Sequence, residues 1–292
     1  MIQLRLYQQS TIEQIDNKFR EGKRRVLMVS PTGSGKTEMM GVMISRAVKH
    51  NFPVVFVVRR RELVKNAPSR FTKNGIDHSV FMANHWRFDP EKLVQICSID
   101  TMKARKQYPF SQGGCLVVID EAHLNYKEIF ENYTKAFIVG GTGSPFTDHV
   151  SAFEDYIQAV EPYELRDQGF LVPSKFYVPH LMDVSAVKIK MGDFDKKQLE
   201  SVVTNSAVVG NIVQDWIDLG QNRPTICFAT SVEHSLQLKH AFIEAGITAV
   251  HVDAKSSEEE RDRARIGLEN GKIKVVCNVD IFSTGWDCPI IG

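Results

Sequence analysis

Eight residues near the N-terminus, SPTGSGKT from Ser30 to Thr37, have the composition that grips a polyphosphate. A flexible turn through Thr32, Gly33, Ser34 and Gly35 lets backbone N–H groups wrap an anionic chain, and a following helix N-terminus adds a favourable dipole. Lys36 then supplies a cation for the β and γ phosphates, and the Thr37 hydroxyl a ligand for Mg2+. One position departs from the usual GxxxxGK[ST] pattern: Ser30 stands where glycine is expected. Further along, CLVVIDEAH ends an apolar run in Asp120, Glu121 and His123. Asp120 could hold Mg2+ through water, Glu121 could orient and deprotonate an attacking water, and His123 could sense the γ-phosphate. A glycine-rich turn alone, or a solvated acidic strand end alone, is an ordinary surface feature. Their combination predicts hydrolysis of a nucleoside triphosphate.

Such groups meet only if a scaffold brings them together. Short apolar runs alternate with amphipathic stretches, which predicts parallel sheets flanked by helices. In the first half the strands are expected at 26–29, 53–58, 93–98, 115–120 and 135–140, with helices over 37–50 and 61–70. In the second half they are expected at 175–181, 225–229, 247–252 and 274–279. A helix from Ser231 to Ala245 opens with Thr230 and Glu233 at capping-box spacing, and one from Ser257 to Asn270 opens with Ser256 and Glu259. The acidic stretch 151–172 contains Pro162 and reads as a connecting helix and linker between domains at 1–150 and 173–292. Residues 183–205 read as an inserted helical segment.

At 292 residues, with 43% hydrophobic and 24% charged, the chain is long enough for two globular domains and too apolar for disorder. It has no apolar run of membrane-spanning length and no secretory leader, so a cytoplasmic protein is expected. Five cysteines without CxxC spacing argue against a metal–thiolate site or a disulfide framework. The net charge of +1 conceals an asymmetry: residues 1–150 carry 22 Lys and Arg against 14 Asp and Glu, and the remainder carries an excess of acid. A basic half suits a polyanion, or simply attracts the acidic half. Trp86, Trp216 and Trp286 could stack bases, although packing is the ordinary role of a tryptophan. The histidines other than His123 lack ligand spacing and are expected at the surface or in caps.

SPTGSGKT followed by DEAH resembles the superfamily 2 helicases and translocases of the DEAD/DEAH-box type, and further motifs follow in that family's order over almost the whole chain. LRLYQQ (4–9) resembles the adenine-reading motif, which implies Gln8 as base reader with Arg5 and Tyr7 beside it. VVRRRELV (57–64) and CSIDTM (97–102) resemble motifs that grip a nucleic-acid backbone, which implies Arg61 and Thr101. GTGSP (141–145) resembles the S/T-A-T-P coupling motif, with Thr142 and Ser144 as its hydroxyls and Gly143 in place of alanine, a change that should loosen the loop. FATSVEHS (228–235) implies Thr230 and Ser231 on backbone phosphates. NVDIFSTGWDCP (278–289) implies Thr284 on nucleic acid, with Gly285 and Asp287 near the nucleotide. LRDQGFLVPSKFY (165–177) resembles the linker of the branch containing restriction-enzyme translocase subunits and excision-repair helicases.

The resemblance implies two RecA-like P-loop NTPase domains that bind ATP and Mg2+ in the cleft between them. The implied partner is a single-strand backbone, with DNA favoured over RNA. No QxxGRxxR-type sixth motif follows the fifth, so the second domain is expected to be truncated and turnover impaired. Three functions stay open at this level: a helicase or translocase, a nucleic-acid-stimulated ATPase motor that does not unwind, and a non-catalytic nucleotide-dependent binding module.

Overall fold

The computed structural model describes residues 4–59, 68, 71–83, 85–177, 184–190, 193–282 and 290. The chain divides into two compact units, Met1–Pro173 and Ser174–Gly292. The helix expected over 61–70 falls almost wholly outside the described residues.

The first unit is built on seven strands: β1 (Arg25–Val29), β2 (Val54–Val58), β3 (Ser79–Phe81), β4 (Val94–Ser98), β5 (Leu116–Asp120), β6 (Phe137–Thr142) and β7 (Asp155–Gln158). They form one sheet in the order β3-β4-β2-β5-β6-β1-β7, every neighbouring pair parallel. A parallel sheet covered on both faces has no polar side, which is why β2, β4 and β5 read as near-continuous apolar runs and are buried along their whole length. Alternate residues serve opposite cores. Val54, Phe56 and Val58 join Val94, Ile96 and Val118 against one helical layer, while Val55, Val57, Val117 and Ile119 pack on the other. The first layer contains α1 (Leu6–Arg20) and α2 (Lys36–Lys49). In α1 the buried side chains Gln8, Thr11, Ile12 and Ile15 follow helical spacing. The second layer contains α3 (Ile99–Arg105) and α4 (Lys127–Asn132), held by Met102, Ile129, Tyr126 and Tyr133. Cys97 and Cys115 sit in this core as small hydrophobes, and burial pushes the Cys115 thiol up to about 12.

The stretch 151–172 differs from its expected role as a linker. Asp155–Gln158 is the edge strand beside β1, with Val26 opposite Asp155 and Met28 opposite Ile157. Ile157, Val160 and Leu165 are buried, and α5 (Pro162–Asp167) follows with Pro162 in its first turn. Acid and proline marked a linker in the sequence, but three well-spaced apolar residues suffice to attach the segment to the first unit.

The second unit contains a short antiparallel pair, β8 (Ile189–Lys190) and β9 (Asp193–Phe194), then α6 (Lys196–Val203) and α7 (Ser206–Leu219). A parallel sheet follows from β10 (Thr225–Phe228), α8 (Val232–Glu244), β11 (Ala249–Val252), α9 (Glu258–Glu269) and β12 (Val275–Asn278), in the order β10-β12-β11. The strand expected at 175–181 does not form over 175–177, and its remainder lies outside the described residues. Trp216 packs edge-on against Phe242 and donates its indole N–H to Thr225 Oγ1 at 2.8 Å. Two histidines, His78 and His234, are buried rather than at the surface. Among the described residues no helix is long and apolar enough to cross a membrane.

Candidate nucleotide site and coupling residues

In a parallel sheet, residues that follow the strands gather along one edge. Here β1 leads into Ser30–Gly35, β5 into Asp120–His123 and β6 into Thr142–Ser144, and β6 lies between the other two. Ser30 N–H donates to Thr142 O at 2.8 Å, so the phosphate-loop segment is fastened directly to the GTGSP segment.

The loop itself is fixed by short polar contacts. Gly33 and Gly35 have φ of +80° and +77°, in the left-handed region that glycine adopts without a Cβ penalty. Ser30 accounts for its departure from the glycine pattern. It is buried, and its hydroxyl lies 2.5 Å from that of Ser34, which also bonds Pro31 O. The start of α1 closes the other side. Gln8 Nε2 and Tyr7 OH both donate to Ser34 O, at 2.8 and 2.6 Å, while Gln8 Oε1 accepts the Arg5 N–H that begins the helix. The Arg5 guanidinium donates to Tyr7 OH and lies 3.5 Å from the Phe170 ring centroid. Leu171 reaches the loop as well: a Cβ on Gly33 would lie 2.5 Å from its Cδ2. The Gln8 amide, expected as a base reader, thus holds the loop carbonyl and caps its own helix.

Lys36, the first residue of α2, projects toward β5. Its ammonium lies 3.3 Å from both Asp120 Oδ1 and Glu121 Oε1. Thr37 follows it in the first turn. Glu121 takes a positive φ of 52°, a conformation costing roughly 1–2 kcal/mol for a residue with a Cβ. The turn is held by Glu121 N–H donating to Asp120 Oδ1 at 3.0 Å, Ala122 N–H to Gly141 O at 3.0 Å, and Tyr126 OH to Asp120 O at 2.9 Å. Burial, followed by the nearby carboxylate of Asp120, pushes the Tyr126 phenol above its usual range, so it stays a donor.

His123 connects this acidic turn to β6. Its Nδ1 lies 2.9 Å from Thr142 Oγ1 and 3.4 Å from Glu121 Oε2. Thr142 is fully buried and also accepts the Ser144 N–H at 3.0 Å, while Thr147 donates to His123 O. His123 thus lies between Glu121 and Thr142, the last residue of β6. Two further residues of this site escaped the sequence reading. A Cβ on Gly141 would lie 2.1 Å from Met40 Cε and 3.2 Å from Lys36 Cδ, and one on Gly140 would lie 2.3 Å from Phe153. A side chain at 141 would therefore press on the Lys36 stem as well as on Met40. At Gly143, where the resemblance implies alanine, a Cβ would approach no atom closer than 3.4 Å.

The backbone-contacting candidates are held by other contacts. Thr101 lies on α3, its hydroxyl accepting the Ala83 N–H at 3.1 Å. In the second unit Ser231 caps α8 by accepting the His234 N–H, and the Thr230 hydroxyl lies 3.2 Å from His234 Nδ1. The cap is Ser231 and not Thr230; likewise α9 is capped by Ser257 with Glu260. Arg61, Thr284, Gly285 and Asp287 lie outside the described residues.

Residues 1–147 match the family model for type III restriction enzymes, res subunit. A 51.5 kDa protein of a Lactococcus phage (isolate 7-9) is 30% identical over 271 residues, covering 90% of this chain and 56% of its own length. A Saccharomyces cerevisiae protein provisionally named ATP-dependent helicase IRC3 is 25% identical, covering 99% of this chain and 46% of that protein. The chain thus spans about half the length of these curated relatives. Among solved structures, a fragment provisionally described as the HsdR subunit of a type I restriction enzyme from Vibrio vulnificus YJ016 superposes with a TM-score of 0.74. It is 18% identical and covers 98% of this chain and 56% of that one. The Hef helicase domain of Pyrococcus furiosus gives 0.51 at 15% identity, over 98% and 87% of the two chains. These likenesses establish a RecA-like α/β fold. The chain belongs to the superfamily 2 helicase-like family of type III restriction enzyme res subunits.

Proposed function

We propose that this chain is the motor part of a nucleic-acid-dependent ATPase, coupling ATP hydrolysis to movement along a single strand, with DNA favoured over RNA. The observation that carries the reading is the convergence of Lys36, Asp120 and Glu121 within 3.3 Å, with His123 joining Glu121 to Thr142. Lys36 would exchange its carboxylate partners for phosphate oxygens, to which a compact ammonium is well suited. Glu121, freed from the lysine, would accept a proton from the attacking water. His123 and Thr142 would then carry the altered charge at Glu121 to the GTGSP loop.

A magnesium ion fits the donor set, because Thr37 and Asp120 offer the hard oxygens that Mg2+ prefers and leave further positions for phosphate and water. When bound, it would offset charge on the transferring phosphoryl group. The excess of basic residues in 1–150 supports a polyanionic partner. Arg61 and Thr101 in the first half, and Thr230, Ser231 and Thr284 in the second, are proposed to grip the strand backbone. Gly285 and Asp287 are proposed to approach the nucleotide, and a cytoplasmic setting is proposed with them.

Glu121→Gln tests the assignment. It should keep ATP bound, since Lys36, Thr37 and Asp120 remain, and lower kcat by at least about 100-fold. Hydrolysis at the unmutated rate would remove Glu121 from the role of base.

A further inference from the structure

The edge strand β3 ends at the same edge of the sheet as the phosphate loop and the acidic turn, since all the strands run parallel. Beyond it the chain doubles back, and the return is pinned at many points. His85 N–H donates to Met82 O at 2.9 Å, Val80 N–H to Arg87 O at 3.1 Å, and Asp89 N–H to Ser79 Oγ at 2.8 Å. Phe88 packs on Phe81 with ring centroids 5.2 Å apart. Arg87 bonds His78 Nε2 at 3.0 Å and Thr72 Oγ1 at 3.3 Å. Arg105 donates to Ala83 O at 2.7 Å from the same helix whose Thr101 accepts the Ala83 N–H.

Amid these anchored neighbours the indole of Trp86 is 84% exposed. The packing role expected of it is not the one it has. The His85 ring lies nearly parallel to it, at 5.8 Å and 21°, and the Arg87 guanidinium is 5.5 Å from its centroid. A flat aromatic face between anchored neighbours, with the Arg87 guanidinium beside it, matches the chemistry of a base attached to a phosphodiester. Ala83, three residues before Trp86, is held by Thr101, the backbone contact implied on α3. We propose that Trp86 is a stacking platform for one base of a bound single strand. The proposal rests on the reading of the chain as a nucleic-acid-dependent motor and adds to it a contact that backbone-gripping residues do not supply.

Binding of a labelled oligothymidylate by the full chain, followed by anisotropy over a salt series, tests this. Trp86→Ala should weaken binding roughly 5- to 150-fold, the range for losing one stacked base, and Trp86→Phe should recover most of it. The slope of log affinity against log salt should stay unchanged, because stacking releases no counterion. An abasic oligonucleotide should bind the unmutated chain more weakly and should remove the difference between it and Trp86→Ala. The exposed position makes misfolding an unconvincing cause of any loss, and an unchanged unfolding midpoint checks this. Equal affinity of the unmutated chain and Trp86→Ala would overturn the proposal, while the motor reading would stand. A loss that persists on the abasic strand would also overturn it. If the unmutated chain binds no strand at any salt, both readings fail.

Discussion

Gly141→Ala is a small change whose consequence can be worked out from the contacts of Lys36. The new methyl would lie 2.1 Å from Met40 Cε and 3.2–3.3 Å from Cδ and Cγ of Lys36. Met40 is fully buried, so its terminal methyl has no free space to enter. Overpacking of this kind costs about 1–3 kcal/mol, which in a unit of this size lowers the unfolding midpoint by about 2–12 °C. The displaced lysine should also lose part of a charge-assisted interaction with phosphate, so nucleotide affinity should fall by about 10-fold. Gly143→Ala is the control: its nearest contact would be Ser30 O at 3.4 Å and its backbone is not left-handed, so both readouts should stay nearly unchanged. Combining Gly141→Ala with Met40→Ala should cost less than the sum of the single changes, because the second removes the atom that the first strikes. Thermal unfolding and titration with a fluorescent ATP analogue measure both effects. An unchanged midpoint and affinity in Gly141→Ala would refute the close passage of Lys36 over β6.

Gln8→Ala should lower the stability of the first unit by about 1–3 kcal/mol and weaken ATP binding, because its amide caps α1 and holds Ser34 O. An effect confined to the choice between ATP and GTP, with no loss of stability, would show that base reading alone is its role. Burial lowers the His78 and His234 imidazoles below their usual value of 6.5, and the Arg87 guanidinium adds to this at His78. Unfolding lets both take up protons near pH 6.5, so stability is complete above that pH and declines as pH falls below it. Urea midpoints at pH 7.5 and 5.0 should therefore fall with acid, and a flat or rising midpoint would contradict the assignment. The carboxylates of Asp77, Glu128 and Asp155, held down by hydrogen bonds from Lys92, Lys103 and Lys18, lose their contribution only at lower pH, which keeps the two effects apart.

The phosphate loop and the acidic turn were legible because each joins a fixed spacing to an apolar strand, and strand plus loop is a local pattern. The strands of the first sheet were legible for the same reason, except at its edges. In β7 only Ile157 is buried, and β3 has three residues, so neither offers a period to read. The caps of α8 and α9 were misplaced by one residue because two adjacent hydroxyls precede each helix, and at α9 Ser257 with Glu260 repeats the spacing of Ser256 with Glu259. Ser256, which competed with Ser257, bonds back to Asp253 instead. Gly140 and Gly141 carried the one usable signal that was passed over, paired glycines at the end of a strand, which mark close approach of another group. What approaches them, Phe153 at Gly140 and Met40 with the stem of Lys36 at Gly141, is distant in sequence and visible only in the fold. The exposure of Trp86 was likewise hidden, since nothing local distinguishes an anchored loop that buries its tryptophan from one that does not.

The most direct test of the motor reading is steady-state ATP hydrolysis by this chain with Mg2+, with and without a single-stranded oligonucleotide, beside Lys36→Ala. Turnover should rise when the strand is added and be lost in Lys36→Ala at every strand concentration. Turnover indifferent to the strand, or a Lys36→Ala variant that hydrolyses ATP as the unmutated chain does, would contradict the motor reading.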